Sequence, residues 1–177
     1  MKKFLVFFMG IFLLVHSTAY ASDDYELEKQ IPEDVIVAAE TVGEAYNICP
    51  ELLESIAYHE SRYKSDVYNG KGCYGLMQVN MSSHRKRLSK LNIKDTDIYD
   101  TYTNMLVAAD YLSELFAQYE DTEIVLAIYH GEKNYSVTNP SSYVKDIMER
   151  SERLEKYHES QLYRRILTGD EDLLCRS

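Results

Sequence analysis

The 177-residue sequence has no tryptophan, three cysteines, no apolar run of bilayer length and no surplus of positive charge. The longest apolar stretch, Phe4 to Val15, falls short of the ~20 residues that cross a hydrocarbon core, which argues against a membrane anchor. Nineteen basic residues stand against 29 acidic ones, a formal charge of −10, so nucleic acid and anionic lipid are excluded as expected partners. No repeat and no convincing strand ladder is present. What remains is an all-α fold, mainly helical and α+β at most.

The N-terminus is read apart from the fold. Met1-Lys2-Lys3 is a positive start, the apolar stretch follows, and Ala19-Tyr20-Ala21 has the small-x-small pattern of a cleavage site. Residues 1–21 are therefore expected to be a signal peptide. No cysteine follows Ala21, which argues against a lipid anchor. Removal of this segment takes away only two of the 19 basic residues, so the charge of −10 becomes −12 on the 156 residues that remain. That length is one domain. We expect a short acidic leader at 22–31, a single domain at 32–158, and a charged helical extension and tail at 159–177.

Helical spacing is clear in several places. Val35, Ala38, Ala39 and Val42 follow Pro32, a residue suited to a helix start. A second helix begins at Pro50 and runs toward Glu60. A glycine-rich loop follows, then Gly75 to Asn80, then a basic helical stretch around His84 to Leu91. Met105, Ala108, Ala109, Leu112, Leu115, Phe116 and Tyr119 form the longest stripe. Asp121 or Thr122 caps a short apolar helix stopped by Gly131, and Ser141 or Ser142 caps the last one.

Glu60 is the anomaly in this pattern. Leu53, Ile56 and Ala57 make the buried stripe of the second helix, and Glu60 extends it by one turn. A carboxyl there loses part of its hydration, which penalises its charged form and raises its pKa. Such a group can donate a proton near neutrality; a structural glutamate satisfied by hydrogen bonds is the alternative. His59-Glu60 does not begin a zinc-binding helix, because the position four residues after His59 is Tyr63 rather than a second histidine. No metal and no cofactor are expected. Of the cysteines, Cys49 and Cys73 bracket the Glu60 segment and Cys175 lies in the tail. A Cys49–Cys73 bridge would contribute about 3.5 kcal/mol in the chain-entropy model, and two unpaired thiols are the alternative.

Five segments together resemble one family. His59-Glu60-Ser61-Arg62-Tyr63, Gly75-Leu76-Met77-Gln78-Val79, Asn104 with Ala108-Ala109-Asp110-Tyr111-Leu112, Leu126-Ala127-Ile128-Tyr129, and Tyr143-Val144 occur in the order and spacing of Slt-like lytic transglycosylases. The resemblance covers about Cys49 to Met148. It implies a lysozyme-like domain with a groove-shaped active site, exported to the cell wall or periplasmic space, acting on peptidoglycan glycan strands. It implies cleavage between N-acetylmuramic acid and N-acetylglucosamine with 1,6-anhydromuramic acid ends, Glu60 serving as acid and then base. Ser61 would orient the saccharide or the carboxyl, Met77 and Gln78 would line the groove, and the Tyr129 hydroxyl would lie near Glu60 and tune it. His130 stands where the family has asparagine, and Gly131 comes one residue early.

Bland readings remain beside these roles: Met77 as core filler, Tyr129 as a core aromatic, Ser61 as a turn residue. The 16 tyrosines include plates that suit sugar rings, although most are ordinary core or surface residues. The acidic surface offers no long-range attraction to an anionic wall, so a wall substrate would be held by short-range contacts. A hydrolytic muramidase similar to goose-type lysozyme is the rival enzyme, with Asp66 as the nearest downstream acid, otherwise a turn residue. A non-enzymatic wall-binding domain is the rival outside enzymology, and a cysteine peptidase built on Cys73 and His84 is a more distant one.

Overall fold

A computed structural model describes residues 26–168. Residues 1–25, with the expected signal segment and the start of the leader, and residues 169–177, with Cys175, lie outside the described residues. The chain divides into two compact units, Ile31–Glu152 and a second formed by the chain before Ile31 and after Glu152. In the second unit, His158 Nε2 lies 3.6 Å from Glu28 Oε1. The residues discussed below belong to Ile31–Glu152.

Helix α1 (Glu33–Tyr46) follows Pro32 and carries Glu33 and Asp34 at its positive end. Its stripe of Val35, Ala38, Ala39 and Val42 is buried as the spacing predicts. Helix α2 (Pro50–Ser61) has proline in its first turn, where the missing N–H is no loss, and buries Leu53, Ile56 and Ala57 completely. Helix α3 (Arg85–Lys90) is the basic stretch. Helix α4 (Thr101–Gln118) is capped by Asp100, whose carboxylate accepts from Thr103 N at 2.8 Å. Helix α5 (Thr122–Tyr129) is capped by Asp121 in the same way. Helix α6 (Ser142–Thr168) begins at Ser141, whose hydroxyl accepts from Val144 N at 3.3 Å, and runs unbroken through residue 158.

Helix α4 is central. Helices α1, α3 and α5 pack on it, as does a 3₁₀ turn at Asp95–Tyr99. Leu53, Ile56, Met105, Leu112, Leu126 and Ile147 are fully buried, each worth ~1.5–3 kcal/mol of apolar transfer. The fold is mainly helical, as expected. A small sheet interrupts it: β1 (Cys73–Tyr74) pairs antiparallel with β2 (Val79–Asn80), with Cys73 opposite Asn80 and Tyr74 opposite Val79.

Candidate active site

Glu60 lies in the last turn of α2, half-buried, one turn beyond the fully buried Ile56 and Ala57. The helix stops just after it because Arg62 adopts a left-handed conformation at φ 56° while its N–H still bonds Tyr58 O. Burial raises the Glu60 pKa above its ordinary value. A hydrogen bond from Tyr143 and the nearby His130 pull it down, and burial prevails.

The hydroxyl of Tyr143 donates to Glu60 Oε1 at 2.6 Å. Tyr143 stands in the first turn of α6, so the Ser141 cap that starts this helix also sets the phenol in place. Its ring stacks on His130, with centroids 3.8 Å apart and planes 18° from parallel, and His59 meets it edge-on at 5.3 Å. Burial, and then the Glu60 charge, push the phenol far above its usual pKa. Tyr143 is therefore a permanent donor to the carboxylate. The arrangement suits a carboxyl that gives up a proton, since the carboxylate left behind keeps a hydrogen-bond donor.

A cleft of about 660 Å³ opens beside this pair, lined by Glu60, Gln78, His84, Tyr111, Tyr129 and His130 among others. The family model for the transglycosylase SLT domain matches residues 37–148, more than half of the chain and all of the residues just named. The chain belongs to the SLT transglycosylase-domain family. A protein of Enterobacteria phage PRD1 named Transglycosylase is 34% identical over 98 residues, 54% of this chain. The chain spans about a third of the length of that relative (35%).

Within this SLT domain, the floor of the cleft is built on Asn104 of α4. Its Oδ1 accepts from Met77 N at 2.7 Å, and its Nδ2 donates to Tyr74 O at 2.9 Å and Ile98 O at 2.7 Å. The hairpin turn sits so close that a Cβ on Gly75 would come within 2.3 Å of Asn104 Nδ2, and Gly75 also has φ 75°. Only glycine fits there. Gln78 lines the cleft with φ 49°, and its Nε2 donates to Gly75 O at 3.0 Å and Val67 O at 3.4 Å. Its amide nitrogen is thus engaged by the loop, and its oxygen is the end left to accept from a ligand.

Several expected residues use other atoms or other partners than the resemblance implies. The Met77 side chain is fully buried, so it fills the core rather than lining the cleft; the residue contributes through its backbone, between Asn104 and Tyr129. Tyr129 lines the cleft close enough for the Glu60 charge to act on it, and its hydroxyl donates to Met77 O at 2.8 Å; the hydrogen bond to Glu60 comes from Tyr143. Ser61 is buried, and its hydroxyl donates to Ala57 O one turn back at 3.2 Å, an ordinary helical use of serine. Cys49 and Cys73 are both free thiols. Cys49 donates to Glu51 Oε2 at 2.9 Å, and Cys73 accepts from Asn80 Nδ2 at 3.7 Å, so of the two alternatives the structure has the unpaired thiols.

His130 lines the cleft as the C-cap of α5. Gly131 follows at φ 85°, and Glu132 N donates back to Ala127 O at 2.9 Å, which closes the helix. The early glycine is therefore the helix stop itself, and it leaves the imidazole lying flat on Tyr143. Tyr143 was visible beforehand only as half of a Tyr-Val pair; its role as the Glu60 partner depends on a contact across 83 positions.

Proposed function

We propose that this chain is a peptidoglycan lytic transglycosylase, cutting between N-acetylmuramic acid and N-acetylglucosamine and leaving 1,6-anhydromuramic acid ends. The observation that carries this reading is the disposition of acids in the cleft. Among the described residues, Glu60 and Glu114 are the carboxyl groups lining it, and Glu114 is ion-paired with Arg87. Asp66, the alternative base, sits in an exposed turn and is not among the lining residues. A hydrolase of the two-carboxylate kind needs a second free acid. A transglycosylase needs one.

In this reading Glu60 enters the reaction protonated and gives its proton to the departing glycosidic oxygen. The N-acetyl group of muramic acid supports the oxocarbenium-like centre. The resulting Glu60 carboxylate, held by the Tyr143 hydroxyl, accepts the proton of the C6 hydroxyl as that oxygen closes on the anomeric carbon. The proton count balances and no water enters. Intramolecular attack is favoured because a well-oriented internal hydroxyl has an effective molarity of ~10⁵ M or more. No cofactor takes part. Residues 1–21 would deliver the enzyme outside the cytoplasm, and no described helix is long and apolar enough to cross a membrane.

The deciding experiment is mass analysis of unreduced fragments from digested glycan strands. Muramic acid ends lighter than the hydrolytic product by one water are expected. Predominantly reducing ends would make water the acceptor and the enzyme a muramidase.

Tyr143→Phe tests the partner of the acid. Cleavage requires protonated Glu60, so activity falls as pH rises through the Glu60 pKa. The hydroxyl stabilises the charged form, and its loss raises that pKa further. The alkaline limb of the pH–rate profile should move up. With one charge-assisted bond of at least ~1.5 kcal/mol missing from the returning carboxylate, kcat at the optimum should drop about tenfold. An unmoved limb would show that Tyr143 does not act on Glu60.

A further inference from the structure

A row of rings in the cleft starts from Tyr129, the one on which the Glu60 charge acts. The centroid of Tyr129 lies 5.9 Å from that of Tyr111, which lies 4.7 Å from that of His84. Beside His84 stands Arg87, and each of its three guanidinium nitrogens has a partner. Nε bonds Asp110 Oδ2 at 2.7 Å, one terminal nitrogen bonds Glu114 Oε2, and the other lies 2.9 Å from His84 Nδ1. Asp110 is held in turn by Lys90 Nζ at 3.1 Å and by the Tyr46 hydroxyl at 3.4 Å.

Two consequences follow from this chemistry. The charge of Arg87 is already offset by Asp110 and Glu114, and Glu114 on the same wall would repel an anionic ligand. An arginine can only donate, so Nδ1 of His84 must accept, which leaves the ring proton on Nε2. Nε2 has no partner among the described residues, and His84 lines the cleft.

We propose that His84 is a saccharide-binding residue at a position remote from the scissile bond, fixed by Arg87 as a neutral imidazole whose Nε2–H donates to an uncharged sugar hydroxyl or N-acetyl carbonyl. The inference rests on the reading of the cleft as a glycan site and adds to it a ligand class, the neutral parts of the glycan rather than the carboxylates of the peptide stems. Burial and then the charge of Arg87 lower the His84 pKa, while Glu114 opposes them more weakly, so the ring stays neutral. Tyr111, the ring on its other side, is itself held protonated by burial. Nothing in this design calls for acid chemistry; it is a fixed donor.

The test uses the full-length Glu60→Gln protein, which can bind without cutting, and two peptide-free N-acetylated glycans, a disaccharide and an octasaccharide. Adding His84→Ala should weaken the octasaccharide about tenfold and leave the disaccharide unchanged. Long-range proton–nitrogen spectra of the unmutated ring should show Nδ1 bare and Nε2 protonated, with the Nε2 signal moving when octasaccharide is added. Equal affinity of both proteins for the octasaccharide, or a proton on Nδ1, would overturn the inference while leaving the catalytic reading untouched. Failure of both glycans to bind either protein would instead overturn the glycan reading, and this inference with it.

Discussion

Peptidoglycan incubated with the purified Glu60→Gln variant should remain uncut. Glutamine keeps the shape of the side chain, and its oxygen can still accept from Tyr143, but it has no proton to give. General acid catalysis alone is worth ~10²–10⁴ in rate, and here the same group is asked to act twice, as acid and as base. The loss should therefore reach at least the upper part of that range, measured as release of soluble fragments under matched conditions. Stability should move the other way. The Glu60 pKa is raised in the folded state, so the group's favourable contribution is fully present below the unfolded carboxylate pKa and is lost as pH rises through the folded one. At neutral pH and above, the parent carries a partly buried charge that the amide lacks. The urea midpoint of the variant should equal or exceed that of the parent there, and their difference should shrink toward acid. Near-parental turnover by the folded variant would remove Glu60 from the mechanism, whereas no cleavage by the parent itself would make a wall-binding domain the better description.

The second large effect is predicted far from the chemistry. Asn104→Ala should lower the unfolding free energy by about 3–5 kcal/mol, because it strands two buried backbone groups, Met77 N–H and Ile98 C=O, and the part-buried Tyr74 C=O, at ~1–3 kcal/mol each. Asn104 is itself fully buried, so solvent cannot substitute easily for its amide. Asn104→Asp should be no milder, since a carboxylate would face two carbonyl oxygens without a donor. Urea unfolding followed by far-ultraviolet circular dichroism gives both numbers. A loss below ~1 kcal/mol for alanine would mean that the turn supports itself. The predicted loss also reaches the cleft, because Met77 O receives the Tyr129 hydroxyl and Gln78 follows in the same turn.

The helices were legible because burial recurs with their period. Val35 to Val42, Leu53 to Ala57 and Met105 to Leu115 each mark a face, and Asp121 and Ser141 mark where two of the helices start. Glu60 was legible for the same reason, as a carboxyl on a stripe of apolar residues. The hairpin was not, since two strands of two residues each are too short to show alternation. Nor was the 3₁₀ turn at Asp95–Tyr99, five polar and apolar residues without a period.

The hydroxyl partners were harder still. The resemblance places the Tyr129 hydroxyl near the acid and gives Tyr143 no role, and no local pattern says which phenol bonds Glu60. That choice is made by the α6 cap and by His130 lying against Tyr143, contacts that only the folded chain brings together. Ser61 and Met77 show the converse. Each sits inside a recognisable motif, yet the serine turns back to its own helix and the methionine packs inward, because a motif records which residues are required without recording which of their atoms is used.

The position of Tyr143 also bears on how the protein can be handled. The acid and its phenol stand 83 positions apart, and the match to the family ends at residue 148, barely a turn and a half beyond the phenol. A fragment stopping in the loop before Ser141 would retain Glu60, Gln78 and the whole hairpin, yet its carboxyl would have lost its donor. Reporter fusions, split proteins and truncation series should therefore find their functional limit not at the glutamate but at the opening turn of the last helix.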